Sequence, residues 1–544
     1  MSFRRKWYNA IKKPKPVNES VKPVFQITQE YKNTVAASAY LGKKGYTIPK
    51  YVLAEEDLAI LYKELLVKPV IFGPGSAAPE SEFAVYRENT NKIYIPRFYG
   101  IERYGLPPKC EIEEGDDISL DFAKPLRDYQ DKIVDVYMKY VNTPICKDSL
   151  QNGSGGILEV PCGRGKTVMG LKIISLLKKK TLIIVHKEFL MNQWIERIAE
   201  FLPGARVGKI QGPLFDIYDK DIVIGMIQTI YDKEYPAQAF SSFGLTIVDE
   251  VHRIGSEQFS RTLLKTITPN MLGISATVDR KDQLTKVLYM FIGNKIYSEK
   301  RSGQDEVCVR AIHYVSGDPE FNEVAYDFRG SPKYSTMISK LCEFGPRSDF
   351  IVKVVGDLIR ENPENQIMIL CHNRSLLTYL HDAIEYRKIA STGYYVGGMK
   401  QADLNETETK SIVLATYAMA AEALDIKTLS TLVMVTPKTD ITQSVGRILR
   451  VKHENPIIVD IVDSHDLFQN QWKQRRQFYK KCNYRIKQID SRKYTGMSNE
   501  KDWIKVFEPK KQKASEETPK DSGGTGTIFE GKCFIQLDNM DLDS

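Results

Sequence analysis

The chain has 544 residues, 42% hydrophobic and 27% charged, an ordinary globular composition that excludes collagen-like, wholly disordered and membrane-embedded chains. At about 150 residues per domain the length predicts roughly three or four structural units, which excludes one small binding module. The net charge of +8 is unevenly spread: residues 1–22 carry seven basic and one acidic side chain and residues 468–493 carry nine and one, so any argument for polyanion binding has to be local.

In chain order, residues 1–115 form an N-terminal accessory region that opens with a basic arm. Its Arg4, Arg5, Lys6, Lys12, Lys13 and Lys15 suit a polyanion tether, a localisation signal or a solvated tail equally. The first twenty residues lack the apolar stretch of about 7–15 residues of a secretory signal. No run approaches the roughly 18 apolar residues of a spanning helix, so the expected place is inside a cell or packaged in a particle, with no membrane partner. The eight cysteines show no paired or metal-ligand spacing and read as buried thiols. Two β-like runs, residues 83–87 and 92–96, flank Asn89-Thr90-Asn91 and predict a hairpin.

From residue 116 short apolar runs alternate with helical periodicity. Residues 157–160, 181–185, 222–224, 245–248 and 272–274 read as buried parallel strands of an α/β domain over 116–300. The stretch 301–345 is poorly patterned and reads as a linker. A second α/β unit over 346–493 has strands at 367–370, 412–414, 432–435 and 457–459. Residues 494–544 lose periodicity and read as a largely disordered tail.

Directly after the 157–160 strand comes Pro161-Cys162-Gly163-Arg164-Gly165-Lys166-Thr167, and an apolar-periodic helix follows. Such a loop aims backbone N–H groups at phosphate oxygens, and the helix adds its positive end. Lys166 is expected to reach the β- and γ-phosphates of ATP and Thr167 to hold Mg²⁺. The 245–248 strand ends in Asp249-Glu250-Val251-His252. Acids at a buried strand tip suit a metal and a water, with Asp249 ligating Mg²⁺ and Glu250 polarising the attacking water.

These motifs, with Ser275-Ala276-Thr277 and then Gln443-Ser444-Val445-Gly446-Arg447-Ile448-Leu449-Arg450, resemble superfamily 2 helicases and translocases over residues 126–450. The resemblance implies two tandem RecA-like domains with the accessory region and tail outside them. It also implies adenine reading by Arg127 and Gln130. Strand contacts would come from Gln193, Trp194, Gln228, Thr229 and, in the second unit, Thr416. His252, Ser275, Ala276, Thr277, Glu422 and Asp425 would couple nucleotide to nucleic acid. Helical spacing puts Gln443, Arg447 and Arg450 on one face, where the resemblance implies an arginine finger.

Within the superfamily the chain is most similar to DEVH-box translocases of the XPB kind and to helicases of nucleo-cytoplasmic large DNA viruses, including poxvirus transcript-release helicases. That implies DNA or RNA as partner and a viral transcription role alongside RNA polymerase, with double-strand translocation without unwinding, or a non-catalytic scaffold, as alternatives. Three residues depart from the usual pattern: Val160 in place of a small residue at the start of the phosphate loop, as in some XPB-like proteins, Lys281 where XPB proteins have Glu, and Ala423 in place of Gly. After the second unit, Phe468, Trp472, Phe478, Tyr479 and Tyr484 interleave with Lys473, Arg475, Arg476, Lys480 and Lys481. Aromatics there suit base stacking and basic groups suit phosphates; a helix packed on the second unit with solvated charges fits equally.

Overall fold

The computed structural model describes residues 25–68, 82–142, 154–161, 163–236, 238–251, 257–278, 284–301, 307–422, 426, 428–441, 444–445, 456–509 and 529–533. The basic arm lies outside these residues. The described N-terminal region carries a five-stranded sheet in which Arg87–Glu88 and Lys92–Ile95 pair antiparallel, as a hairpin. Asn89 makes the turn, its side-chain oxygen accepting the N–H groups of Asn91 and Lys92 at 3.0 and 2.8 Å. The region does not close on itself: Tyr46, Ile48, Ile95 and Tyr104 share one apolar cluster with Ile184, Val248 and Phe259 of the first α/β body. Arg97 pins the join, donating to the carbonyls of Thr268 and Pro269 at 3.0 and 3.1 Å.

The first body has strands β1 (Gly155–Glu159), β2 (Thr181–Val185), β3 (Val207–Gln211), β4 (Leu214–Phe215), β5 (Ile222–Met226), β6 (Leu245–Asp249), β7 (Asn270–Ser275) and β8 (Lys295–Arg301), ordered β4-β3-β5-β2-β6-β7-β1-β8. All pair parallel except the β3–β4 hairpin. Strands β1, β2 and β6 are buried throughout, which explains their largely apolar sequences. Helix α1 (Lys166–Leu177) follows β1 and α2 (Glu188–Phe201) follows β2, so both begin at the carboxyl edge of the sheet, where an open α/β sheet binds its ligand.

The second body orders β9 (Cys308–Tyr314), β10 (Gln366–Cys371), β11 (Thr392–Tyr395), β12 (Ile412–Thr416), β13 (Leu429–Met434), β14 (Ile457–Asp463), β15 (Arg485–Asp490) and β16 (Ile504–Phe507) as β11-β12-β10-β13-β14-β9-β15-β16. Only β16 runs antiparallel. Two expectations are corrected here. Residues 307–345 are not a linker: β9 lies between β14 and β15, and helix α3 (Tyr334–Glu343) buries Met337, Ile338 and Leu341 in the second core. Nor are residues 494–509 a disordered tail, because Tyr494, Met497 and Trp503 pack into that core and β16 extends the sheet. Strand β17 (Phe529–Cys533) then returns to the first body and pairs antiparallel with β8. The tail expectation for 510–528 and 534–544 falls outside the described residues.

Strand β14 anchors one helix on each face through buried ion pairs, since residues 460 and 463 point to opposite sides. Arg347, on helix α4 (Gly345–Glu361), donates to both oxygens of Asp463 at 2.6 and 2.8 Å. Arg475, on helix α5 (Asp466–Lys481), donates to both oxygens of Asp460 at 2.7 and 2.9 Å. Among the described residues no helix is long and apolar enough to cross a membrane, and Cys110, Cys308, Cys342, Cys371 and Cys482 are free thiols. Cys342 and Cys371 are buried as expected; Cys110 is exposed.

Candidate ATP and nucleic-acid site

The phosphate loop turns on two glycines with left-handed backbone, Gly163 at φ 82° and Gly165 at φ 79°, which a side chain would strain. Gly165 is doubly constrained, because a Cβ there would collide with the Gln130 amide. That amide is buried: its N–H donates to the Arg164 carbonyl at 3.0 Å and its oxygen accepts the Arg127 N–H at 3.0 Å. In this structure Gln130 thus donates to the loop's backbone and accepts from that of Arg127. The exposed Arg127 side chain donates to Tyr129. Arg164 stacks on the Tyr129 ring with its guanidinium carbon 3.4 Å from the centroid, and pairs with buried Glu299 of β8 at 2.5 Å. Pro161 and Thr167 are half-buried on either side of the loop, and Cys162 lies outside the described residues.

At the tip of β6 the Lys166 ammonium meets Glu250 Oε1 at 2.6 Å. Glu250 has φ 52°, a left-handed conformation that costs a non-glycine residue on the order of 1 kcal/mol and turns its carboxylate back toward the loop. Asp249 is buried, and burial together with the Glu250 charge holds its carboxyl above the usual carboxylate range, at about 6, against the opposing pull of Lys166. Its Oδ2 accepts the Trp194 indole N–H at 2.9 Å and its Oδ1 accepts the Glu250 N–H at 2.9 Å. Two carboxylates facing one lysine leave a site one positive charge short, a donor set that fits a divalent cation.

The Ser275-Ala276-Thr277 segment leaves β7 beside the loop: the Val160 N–H donates to the Ser275 carbonyl at 2.8 Å. The Ser275 hydroxyl donates to the Thr277 carbonyl at 2.6 Å. Glu159 locks this junction, accepting the Val278 N–H at 2.8 Å while pairing with Lys295 at 3.1 Å. Sequence reasoning missed Glu159. Its signal is an acid directly before the phosphate loop in an otherwise apolar strand.

Of the expected strand-contacting residues, Gln228 is exposed and donates to the His186 carbonyl at 3.0 Å, tying two such segments together. Thr229 accepts the Gly212 N–H at 3.1 Å. Gln193 and Thr416 are half-buried, on α2 and at the end of β12. Two assignments are corrected. Trp194 is 1% exposed and turned to Asp249, so it faces the ATP site and not a strand. Arg475 is 1% exposed and held by Asp460 and the Lys438 carbonyl, because α5 buries Phe468, Trp472, Arg475 and Tyr479 as one face. Lys473, Lys480 and Lys481 are exposed and Arg476 is half-buried on the other side of that helix. His252, Asp425, Gln443, Arg447, Arg450 and the Glu422 side chain, with Lys281 and Ala423, lie outside the described residues.

The family model described as the res subunit of type III restriction enzymes matches residues 123–280. L396 of Acanthamoeba polyphaga mimivirus, named as an ATP-dependent RNA helicase, is 32% identical over 479 residues, covering 85% of this chain and 89% of the relative. QP509L of African swine fever virus, named likewise, is 28% identical over 389 residues, 66% of this chain and 73% of the relative. The DNA 3'-5' translocase XPB2 of Sulfurisphaera tokodaii is 31% identical over 211 residues, 37% of this chain and 43% of the relative. With two RecA-like sheets and a phosphate loop facing an acid pair, the chain belongs to the superfamily 2 helicases and translocases, in the branch with the helicases of large DNA viruses, and is an ATP-dependent, nucleic-acid-binding enzyme.

Proposed function

We propose that this enzyme couples ATP hydrolysis to movement on a nucleic-acid strand during viral transcription, in elongation or transcript release beside RNA polymerase, and that it travels in the virion. The Lys166–Glu250 pair at 2.6 Å carries the catalytic part of the reading. Without nucleotide each group neutralises the other. An arriving γ-phosphate competes for the lysine, and its departure frees Glu250 to orient and polarise the attacking water. Thr167 and Asp249 would hold Mg²⁺, which when bound supplies positive charge to the phosphate oxygens. Arg127 and Gln130 border the nucleotide, Pro161 through Gly165 cradle its phosphates, and Gln443, Arg447 and Arg450 close on it from the second body. Ser275, Ala276, Thr277, His252, Glu422 and Asp425 link that closure to the strand, which Gln193, Gln228, Thr229, Thr416, Lys473 and Arg476 contact.

ATPase assays across single- and double-stranded DNA and RNA at one salt concentration test this reading. Lys166→Ala and Glu250→Gln should each lower the stimulated rate at least about 100-fold. Normal turnover by either variant refutes the assignment, and Arg450→Ala with an unchanged rate refutes the finger. The archaeal relative is named a DNA translocase, which supports translocation on DNA; the second reading is that this movement runs along a duplex without unwinding it. Displacing a triplex strand or a bound protein without separating a duplex would select it.

A further inference from the structure

We propose that Trp194 is a positioning residue for the divalent cation of the ATP site, its indole N–H fixing the Asp249 carboxylate in the orientation that ligates the ion. The proposal rests on the reading of Asp249 as a metal ligand given above.

Three motif-bearing elements meet on this one ring. Trp194 belongs to α2, its Nε1 lies 2.9 Å from Asp249 Oδ2 at the tip of β6, and its six-membered ring lies against Gly170 of α1. Helix α1 is the one that opens with Lys166 and Thr167. A Cβ on Gly170 would stand 2.9 Å from Trp194 Cη2, so the glycine is what lets the indole seat between α1 and β6. With 1% of its surface exposed, the ring has no room to swing and water has no access to replace it.

An indole N–H only donates, so it can serve no acceptor role that would compete with the carboxylate. The Glu250 N–H holds the other oxygen, Oδ1, at 2.9 Å. One donor on each oxygen sets the carboxylate plane and leaves the remaining lone pairs for the ion. Groups that hold a ligand in this way govern metal affinity, and their removal typically costs about 10–100-fold. A buried indole N–H needs an acceptor, and this one takes the Asp249 carboxylate, whose neighbour Glu250 meets Lys166 of the phosphate loop.

The test uses the full chain and titrates Mg²⁺ against binding of a non-hydrolysable fluorescent ATP analogue, with a parallel metal-free titration of the analogue. Trp194→Phe keeps an aromatic ring and removes the donor; replacement of Trp194 by 3-benzothienylalanine removes the N–H with almost no change of shape and covers the case in which the phenylalanine variant folds poorly. The Mg²⁺ midpoint should rise about 10–100-fold in both, with the metal-free affinity at the wild-type value. Asp249→Asn should raise the midpoint at least as far. An unchanged midpoint in the benzothienyl protein beside a raised one in Asp249→Asn overturns the positioning role and leaves Asp249 as ligand. Equal weakening with and without Mg²⁺ overturns it too, as a packing effect. An unchanged midpoint in Asp249→Asn overturns the ligand reading and the proposal with it.

Discussion

Replacing Arg475 by alanine separates a buried strut from a phosphate contact. The guanidinium spends three donors inside the second body, two on Asp460 at 2.7 and 2.9 Å and one on the Lys438 carbonyl at 2.8 Å. Without it Asp460, itself 1% exposed, keeps, among the described residues, the Tyr479 hydroxyl at 3.1 Å as its side-chain partner. Breaking such a pair leaves an uncompensated buried charge and costs about 3–5 kcal/mol. For a unit of about 200 residues that corresponds to a fall of roughly 6–20 °C in the melting temperature of the second body. Arg475→Met with Asp460→Leu removes both charges and should recover most of the loss, because an apolar replacement of a buried pair is often neutral. Differential scanning fluorimetry of the full chain reads all three proteins. A melting temperature within about 2 °C of wild type in Arg475→Ala, accompanied by weaker nucleic-acid binding and a shallower salt slope, would refute the packing argument and return Arg475 to the strand-binding face.

Replacing Lys473, Lys480 and Lys481 together by alanine should leave stability within about 0.5 kcal/mol and make the salt dependence of nucleic-acid binding shallower by about one unit for each phosphate that is no longer neutralised; an unchanged slope in a salt titration means the face is merely solvated. Gly165→Ala should abolish nucleotide binding and cost about 1–3 kcal/mol, since the backbone is left-handed and the methyl meets Gln130, as measured with a fluorescent ATP analogue and by thermal melting. Burial, with the Lys438 charge beside it, pushes His372 down to about 4. Its folded value is thus below the unfolded one of about 6.5, so its contribution is complete above that pH and is lost as pH falls toward 4, about 2 kcal/mol between pH 7 and 5. His372→Gln should flatten that limb in denaturant unfolding, and a wild-type slope would remove His372 as its cause.

The parts of the fold most legible in the sequence are those where a single physical demand acts. Strands β2, β6 and β10 are buried on both faces and show as predominantly apolar runs. The phosphate loop shows through its glycines, and the strand tip through its adjacent acids. Strand β9 escaped because Arg310 and His313 interrupt its apolar pattern, and only the fold reveals that Arg310 is neutralised by Glu361 at 2.5 and 2.8 Å. Arg475 and Trp194 were misplaced for a related reason: side-chain chemistry names what a residue can bind, while the face of its helix decides which partner it meets. Strand β16 carries exposed Ile504 and Lys505, a pattern indistinguishable from a loop until an edge strand is there to receive it.

Strand β17 gives the chain an order of completion. The strands of the first body up to β8 are synthesised first, yet the outer edge of its sheet at β8 stays uncapped until residues 529–533 emerge, after the whole second body. Domains tend to fold as they leave the ribosome, and an open strand edge invites pairing with other chains. The vulnerable interval for this enzyme is therefore the one between synthesis of β8 and synthesis of β17, when the motor still lacks the strand that covers β8, the strand whose Glu299 holds Arg164 of the phosphate loop. Chains ending short of residue 529 would carry the whole phosphate loop and its facing acids and still present that edge to their neighbours.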